Sequence, residues 1–194
     1  ADLWAPASPH EELYSNGAII VFNNSASNGY IGKEKLRQLI VTSASYKWNA
    51  AYVYVSNNAS ESTSEVVFTG HKMIACSGDI VAENEPISLE TDIIYGDIDL
   101  ERLHYLRQHN GWYKMVADQK RDASFQRVNY NLIENELFVF EKTMDKLPFV
   151  PKTSSDLHRI IDIQAVSIQK RLQYIGIKKV VLGVSGGLDS TIAL

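Results

Sequence analysis

Residues 18–33 read AIIVFNNSASNGYIGK. Ala18 to Phe22 is apolar throughout and rich in β-branched side chains, which predicts a strand buried on both faces. The polar, glycine-punctuated run after it predicts a loop. From Lys33 to Trp48, Leu36, Leu39, Ile40 and Ala44 recur at helical spacing, which predicts a helix burying that face. Strand, loop and helix in this order make an α/β unit, and the flanking sequence extends it.

Downstream, Ala50 to Ser56 (AAYVYVS) predicts a second buried strand, followed by the polar loop NNASESTSE. Residues 65–76 and 80–83 flank Ser-Gly-Asp and predict a hairpin with a glycine turn. Thr91 to Ile98 predicts a further strand. Asp99 to Asn110 predicts a helix capped by Asp99 and ended before Gly111, with Leu100, Leu103 and Leu106 on one side. Alternating strands and helices followed by a hairpin imply a layered α/β sandwich with a mixed sheet. Two prolines and a serine cap in KLPFVPKTSS place a domain boundary near Leu147 to Ser155. The expected organisation is a first domain over 1–146, a linker over 147–155 and the start of a second domain over 156–194. In the second domain, Ser155 is expected to cap a helix from Asp156 to about Tyr174. Gly176 is expected at a left-handed helix end, before a strand over Val180 to Val184. Helix, strand, loop and helix start open a doubly wound α/β domain.

The chain has 194 residues and a net charge of −4 without long runs of one sign, which argues against a nucleic-acid or membrane-surface partner. No apolar run reaches the roughly 18 residues of a membrane span. ADLWAPASPHEELY lacks the basic and apolar regions of a signal peptide. The single cysteine, Cys76, excludes an intramolecular disulfide and fits a reducing compartment, so the cytoplasm is the expected location. Cys76 closes a hairpin strand with no helix start to activate it, and reads as a structural thiol. The five histidines lack metal-ligand spacing, and His104 and His109 read as surface residues.

Ser185 to Ser190 is SGGLDS, set between the expected strand and the next helix. Two glycines let the backbone approach a ligand, and their amides with the helix start form a donor array suited to phosphate. The hydroxyls of Ser185 and Ser190 add to it. Asp189 would repel phosphate unless it held a Mg²⁺ or capped the helix. The Gly-Lys-Ser/Thr of a Walker A loop is missing, so there is no lysine to support γ-phosphate transfer. The plainer alternative is a glycine-rich turn with an aspartate cap.

The segment Gly183, Val184, Ser185, Gly186, Gly187, Leu188, Asp189, Ser190 resembles the pyrophosphate loop of the N-type ATP pyrophosphatases. The preceding 150 residues resemble the later half of a nitrilase-type amidase domain, through ADLWAP, NNSASNGYIGK and AAYVYVSNNASESTSEVVFTGHKMIACSGDIVAE. With LPFVP and GVSGGLDSTIAL the whole pattern resembles the glutamine-dependent NAD⁺ synthetase family. The resemblance implies the C-terminal half of an αββα sandwich followed by the first helix-strand-loop of a doubly wound domain. It implies L-glutamine, ATP with Mg²⁺, and deamido-NAD⁺ as ligands, and a homo-oligomer for the full-length protein. No nucleic-acid or membrane partner is implied.

By the same resemblance, the nucleophilic cysteine is expected immediately before Ala1, with the catalytic Glu and Lys further upstream, so the isolated chain is expected to be inactive. Ser27 and Lys33 match glutamine-binding positions. A turn-capping serine and a solvated first-turn lysine are the plain alternatives. Ala1 stands where the family carries an acidic residue, SEST replaces GEST at Ser60 to Thr63, and Glu61 is kept. Trp4 is expected to border the glutamine pocket or to be a core tryptophan. Two other readings stay open: another amidase-fused ATP pyrophosphatase, and a non-catalytic assembly module of nitrilase fold.

Overall fold

The computed structural model describes residues 2–62, 65–86, 91–119, 125–131, 146–147 and 150–194. Two compact units divide the chain, Ala1–Thr143 and Met144–Leu194. The first is a mixed α/β unit built on a four-stranded sheet of order β1-β2-β3-β4. Strands β1 (Ile20–Ser25) and β2 (Ala51–Ser56) run parallel, joined through helix α2 (Lys33–Lys47). A parallel pair needs such a crossover, whereas β3 (Lys72–Cys76) and β4 (Asp79–Glu83) form a tight antiparallel hairpin. The hairpin turn takes Ser77 and Gly78 through positive φ. The first strand of the hairpin is shorter than the expected 65–76, because 65–71 carries only an isolated bridge from Phe68 to Asn28.

Helix α1 (Pro9–Ser15) packs against β1, and α2 packs against β2, β3 and β4. The core between helices and sheet holds Tyr14, Val41, Trp48, Tyr52, Tyr54 and Met73. Tyr14 and Trp48 stack with centroids 6.0 Å apart. The Tyr14 hydroxyl donates to the Ala51 carbonyl at 2.8 Å, so a helix is pinned to the central strand through a buried bond. Helix α3 (Leu100–His109) starts where expected, with the Asp99 carboxylate accepting from the Arg102 amide at 2.9 Å. Its Arg107 guanidinium lies over the Tyr113 ring and donates through Nε to the Trp48 carbonyl at 3.0 Å.

Several expectations are corrected. Helix α2 buries Lys33, Arg37, Val41, Ala44 and Ser45, while Leu36 and Leu39 are exposed, Leu39 at 64%. The sheet-facing stripe is thus half polar, because it serves the loop ahead of the helix as well as the core. Thr91 to Ile98 forms no strand: Asp92 pairs with Lys72, and Gly96 lies so close to Val81, Ile74 and Ala82 that a Cβ would crowd them. The segment therefore covers the sheet face instead of extending its edge. A further helix, α4 (Gly111–Gln119), follows α3 directly. Asn110 starts it, its Oδ1 accepting from the amides of Trp112 and Tyr113 at 3.0 and 3.2 Å.

In the second unit, α5 (Ser154–Tyr174) is capped by Thr153, not Ser155. Thr153 and Asp156 exchange side-chain and backbone bonds in a capping box, which two serines in sequence could not complete. Gly176 takes the left-handed conformation expected, φ +72°. Val180 to Val184 has no strand structure, since no described segment offers it a ladder. A short helix, α6 (Leu188–Ala193), ends the unit. No helix among the described residues is long and apolar enough to cross a membrane.

Candidate functional site

The loop between β1 and α2 leaves the carboxyl end of a parallel strand, the position where open α/β sheets gather ligands. Ser27 and Lys33 stand at its two ends and both are buried, at 6% exposure each. Ser27 is not solvated: its Oγ accepts from an Arg37 Nη at 3.3 Å and its carbonyl from the same nitrogen at 3.0 Å. The Ser56 hydroxyl also donates to that carbonyl. The loop lies against residues 67–69, with the Gly29 amide donating to the Val67 carbonyl at 2.6 Å. Gly29 is required by space, because a Cβ there would collide with the Thr69 methyl.

Lys33 opens α2 yet turns inward. Its Nζ donates to Asn28 Oδ1 at 2.6 Å and sits over the rings of Trp4 and Tyr30, 5.0 and 4.9 Å from their centroids. Trp4 therefore forms one wall of this cage. Burial lowers the Lys33 pKa below its ordinary value, and the neighbouring Arg37 charge lowers it further. The ion pairs among the described residues are Lys47–Glu11, His71–Glu83 and Lys72–Asp92, so neither Lys33 nor Arg37 has a carboxylate partner there. Two inward cations are thus held among carbonyls, hydroxyls and aromatic faces, an electrostatic setting that favours an anionic group.

Arg37 is the residue that sequence reasoning missed. It is fully buried, and a cation four residues after Lys33 puts both on one helix face. Paired cations at that spacing were the available signal. Beyond them, His71 Nε2 meets Glu83 Oε1 at 2.6 Å, and Gln38 Nε2 donates to both Glu83 oxygens. Glu61 stands exposed in a short 3₁₀ turn, Ala59–Glu61, without a described role in the cage. Cys76 lies at the end of β3, opposite Ala51 and Asp79. His104 and His109 are exposed.

In the second unit, SGGLDS forms a closed turn into α6. The Ser185 amide donates to Ser190 Oγ at 3.2 Å, and Ser190 Oγ donates to the Gly187 carbonyl at 3.0 Å. The two serine hydroxyls also meet at 3.2 Å. Gly186 has φ +85°, where a side chain would be strained, and open space lies beside it. Asp189 is exposed in the first helical turn and lines a groove with residues of α5. A Mg²⁺ takes few protein carboxylates and fills its shell with phosphate oxygens and water, so a single exposed carboxylate is compatible with such an ion. No group of three or more His, Cys, Asp or Glu side chains that could hold a metal exists among the described residues.

No protein-family model matches the chain. The glutamine-dependent NAD(+) synthetase of Mycobacterium tuberculosis (strain H37Rv) is 32% identical over 200 residues, covering 100% of this chain and 30% of that protein. The enzyme of the same description from Thermotoga maritima is 27% identical over 204 residues, covering 98% of this chain and 31% of the relative. Among solved structures, a glutamine-dependent NAD(+) synthetase from Cytophaga hutchinsonii aligns with a TM-score of 0.40 and 28% identity, over 42% of this chain and 14% of that one. The chain is thus similar along its whole length to glutamine-dependent NAD(+) synthetases, and it spans about 30% of the length of the relatives it matches.

Proposed function

We propose that this chain is part of an enzyme that hydrolyses glutamine and uses the ammonia to convert deamido-NAD⁺ to NAD⁺ at the expense of ATP. The observation that carries the reading is the buried Lys33 cage at the end of the Ser27 loop, where no described carboxylate meets the ammonium. A glutamine carboxylate supplies the missing anion there, and Ser27 with its pinned carbonyl offers polar contacts beside it. The same chain holds SGGLDS, which serves as the pyrophosphate loop: Gly183 to Ser190 bind ATP, with the amides around Gly186 and Gly187 facing the phosphates. Asp189, with the Ser185 and Ser190 hydroxyls, would hold the Mg²⁺, whose charge neutralises the phosphate oxygens.

The two half-reactions share one intermediate. Water and glutamine give glutamate and ammonia. A carboxylate oxygen of deamido-NAD⁺ bonds to the α-phosphorus of ATP as the bond to pyrophosphate breaks. Ammonia then attacks the activated carbonyl, and AMP leaves with that oxygen. Passing ammonia directly from hydrolysis to amidation keeps it from protonation, since ammonium has no lone pair to attack with. Residues of the described chain bind and orient in this scheme, and the bond-breaking cysteine belongs outside them. The assignment makes the isolated chain inactive and its natural protein a cytoplasmic homo-oligomer.

On the same reading residues 1–146 are the later half of the amidase sandwich, 147–155 the linker and 156–194 the opening of the synthetase domain. The sheet supports it, because the face of β1 and β2 turned from the helices carries Phe22, 72% exposed, beside half-buried Val53 and Val55. A second sheet laid there would complete a two-sheet core. The test is to incubate the natural full-length protein with glutamine alone and follow glutamate release. Lys33→Met is expected to raise the glutamine KM. No glutamate from the wild type would reject the reading in favour of an assembly module.

A further inference from the structure

Arg37 holds a fully buried guanidinium to which no described residue gives a carboxylate. An apolar side chain of similar volume would be cheaper to bury, so the charge calls for an explanation. Its contacts supply one. One Nη donates to the adjacent carbonyls of Ser27 and Asn28, at 3.0 and 2.9 Å, and the other to Thr69 Oγ1 at 3.2 Å. The fork therefore ties the loop to the opposing segment that also receives the Gly29 amide. Asn28, held through its backbone by Arg37, presents its side-chain oxygen to Lys33 Nζ. Lys33 lies one turn before Arg37 on α2, which closes a ring of three residues around the ammonium.

We propose that Arg37 is a positioning residue for ligand binding at Lys33, acting through Asn28, and that the neutral Asn28 keeps Lys33 open to a ligand carboxylate. The inference rests on the glutamine reading given above. A rigid ring fixes the ammonium before the ligand arrives, so less order is lost on binding. Among the described residues every acceptor on the two cations is neutral, so none of them competes as an anion with the ligand. A lysine at position 37 would keep the charge but could not span two carbonyls and a hydroxyl in one plane.

The experiment measures glutamate release by the natural full-length protein and its Arg37→Met, Arg37→Lys and Asn28→Asp variants. Thermal unfolding of each is recorded as a check of folding. Arg37→Met and Asn28→Asp are expected to raise the glutamine KM roughly tenfold or more while kcat falls by less than about threefold. Arg37→Lys is expected to recover part of that loss. Asn28 is exposed, so Asn28→Asp folds even if Arg37→Met does not, and its new carboxylate occupies Lys33. An unchanged KM in folded Arg37→Met or in Asn28→Asp, or a loss confined to kcat, overturns the inference while glutamine hydrolysis by the wild type stands. A wild type that releases no glutamate overturns the underlying function, and this inference with it.

Discussion

Replacing Tyr14 with phenylalanine tests how the helix layer is fastened to the sheet. The Tyr14 side chain is fully buried and its hydroxyl donates to the Ala51 carbonyl at 2.8 Å. Removing the hydroxyl leaves that carbonyl without this donor at a site closed to water. The expected cost is about 1–2 kcal/mol at neutral pH, a Tm drop of roughly 2–8 °C for a chain of this size. Burial, with smaller contributions from Tyr52 and Cys76, pushes the Tyr14 phenol far above its ordinary pKa of 10.0, although the Arg107 charge opposes them. The folded state thus keeps a proton that the unfolded state releases above pH 10. Stability must fall as pH rises, by about 1.4 kcal/mol per unit once the unfolded phenol ionises. The advantage of tyrosine over phenylalanine should therefore vanish near pH 11, one unit above the ordinary value. Urea unfolding of the two chains at pH 7 and pH 11 measures both differences. The same gap at both pH values would refute the argument, as would no gap at pH 7.

Three further outcomes are expected. Gly29→Ala should destabilise the chain by about 1–3 kcal/mol, because its Cβ meets the Thr69 methyl. Adding Thr69→Ser, which deletes that methyl and keeps the hydroxyl for Arg37, should restore most of the loss in a denaturant melt. Lys33→Met should weaken glutamine binding while the fold gains stability, since burial disfavours the ammonium. The lowered Lys33 pKa also sets the sign with pH: the stability penalty of Lys33 is present at neutral pH and fades as the solution approaches the ordinary lysine value, so the gain from Lys33→Met shrinks in alkaline melts. Gly186→Ala forces a side chain to φ +85° and should cost about 1 kcal/mol locally, read as weaker ATP binding by calorimetry in the natural protein.

The order strand, loop, helix from residue 18 and the following strand and hairpin were legible because β-branched runs and the Leu-Ile spacing carry strong periodic signals, but β1 runs on to Ser25 and leaves Phe22 exposed where burial on both faces was expected. The second unit shows where such signals stop. Val180 to Val184 has the composition of a strand, but composition cannot provide the neighbouring ladder that defines one. Thr91 to Ile98 failed for a related reason: its side chains suit a sheet, but the segment forms no ladder and leaves Ile93 and Tyr95 exposed while Gly96 comes close to the sheet. The buried side of α2 was hidden because apolar counting points to Leu36 and Leu39, whereas the sheet receives Lys33, Arg37 and Val41. At the candidate site Ser27 and Lys33 were singled out only through the resemblance of their loop to the family's. Arg37 did not, because a helix-surface arginine and a buried one look alike in sequence until packing chooses between them. Asn110 was visible as a helix end and served also as the start of α4.

In the proposed reaction the amide nitrogen of glutamine reaches a carboxylate activated by ATP. A labelling experiment supplies the natural full-length protein with glutamine carrying ¹⁵N in the amide, ATP with Mg²⁺, and deamido-NAD⁺. The expected result is ¹⁵N in the carboxamide of NAD⁺, with one AMP and one pyrophosphate formed for each NAD⁺. Release of ADP and phosphate, or NAD⁺ without the label, would rule that reaction out.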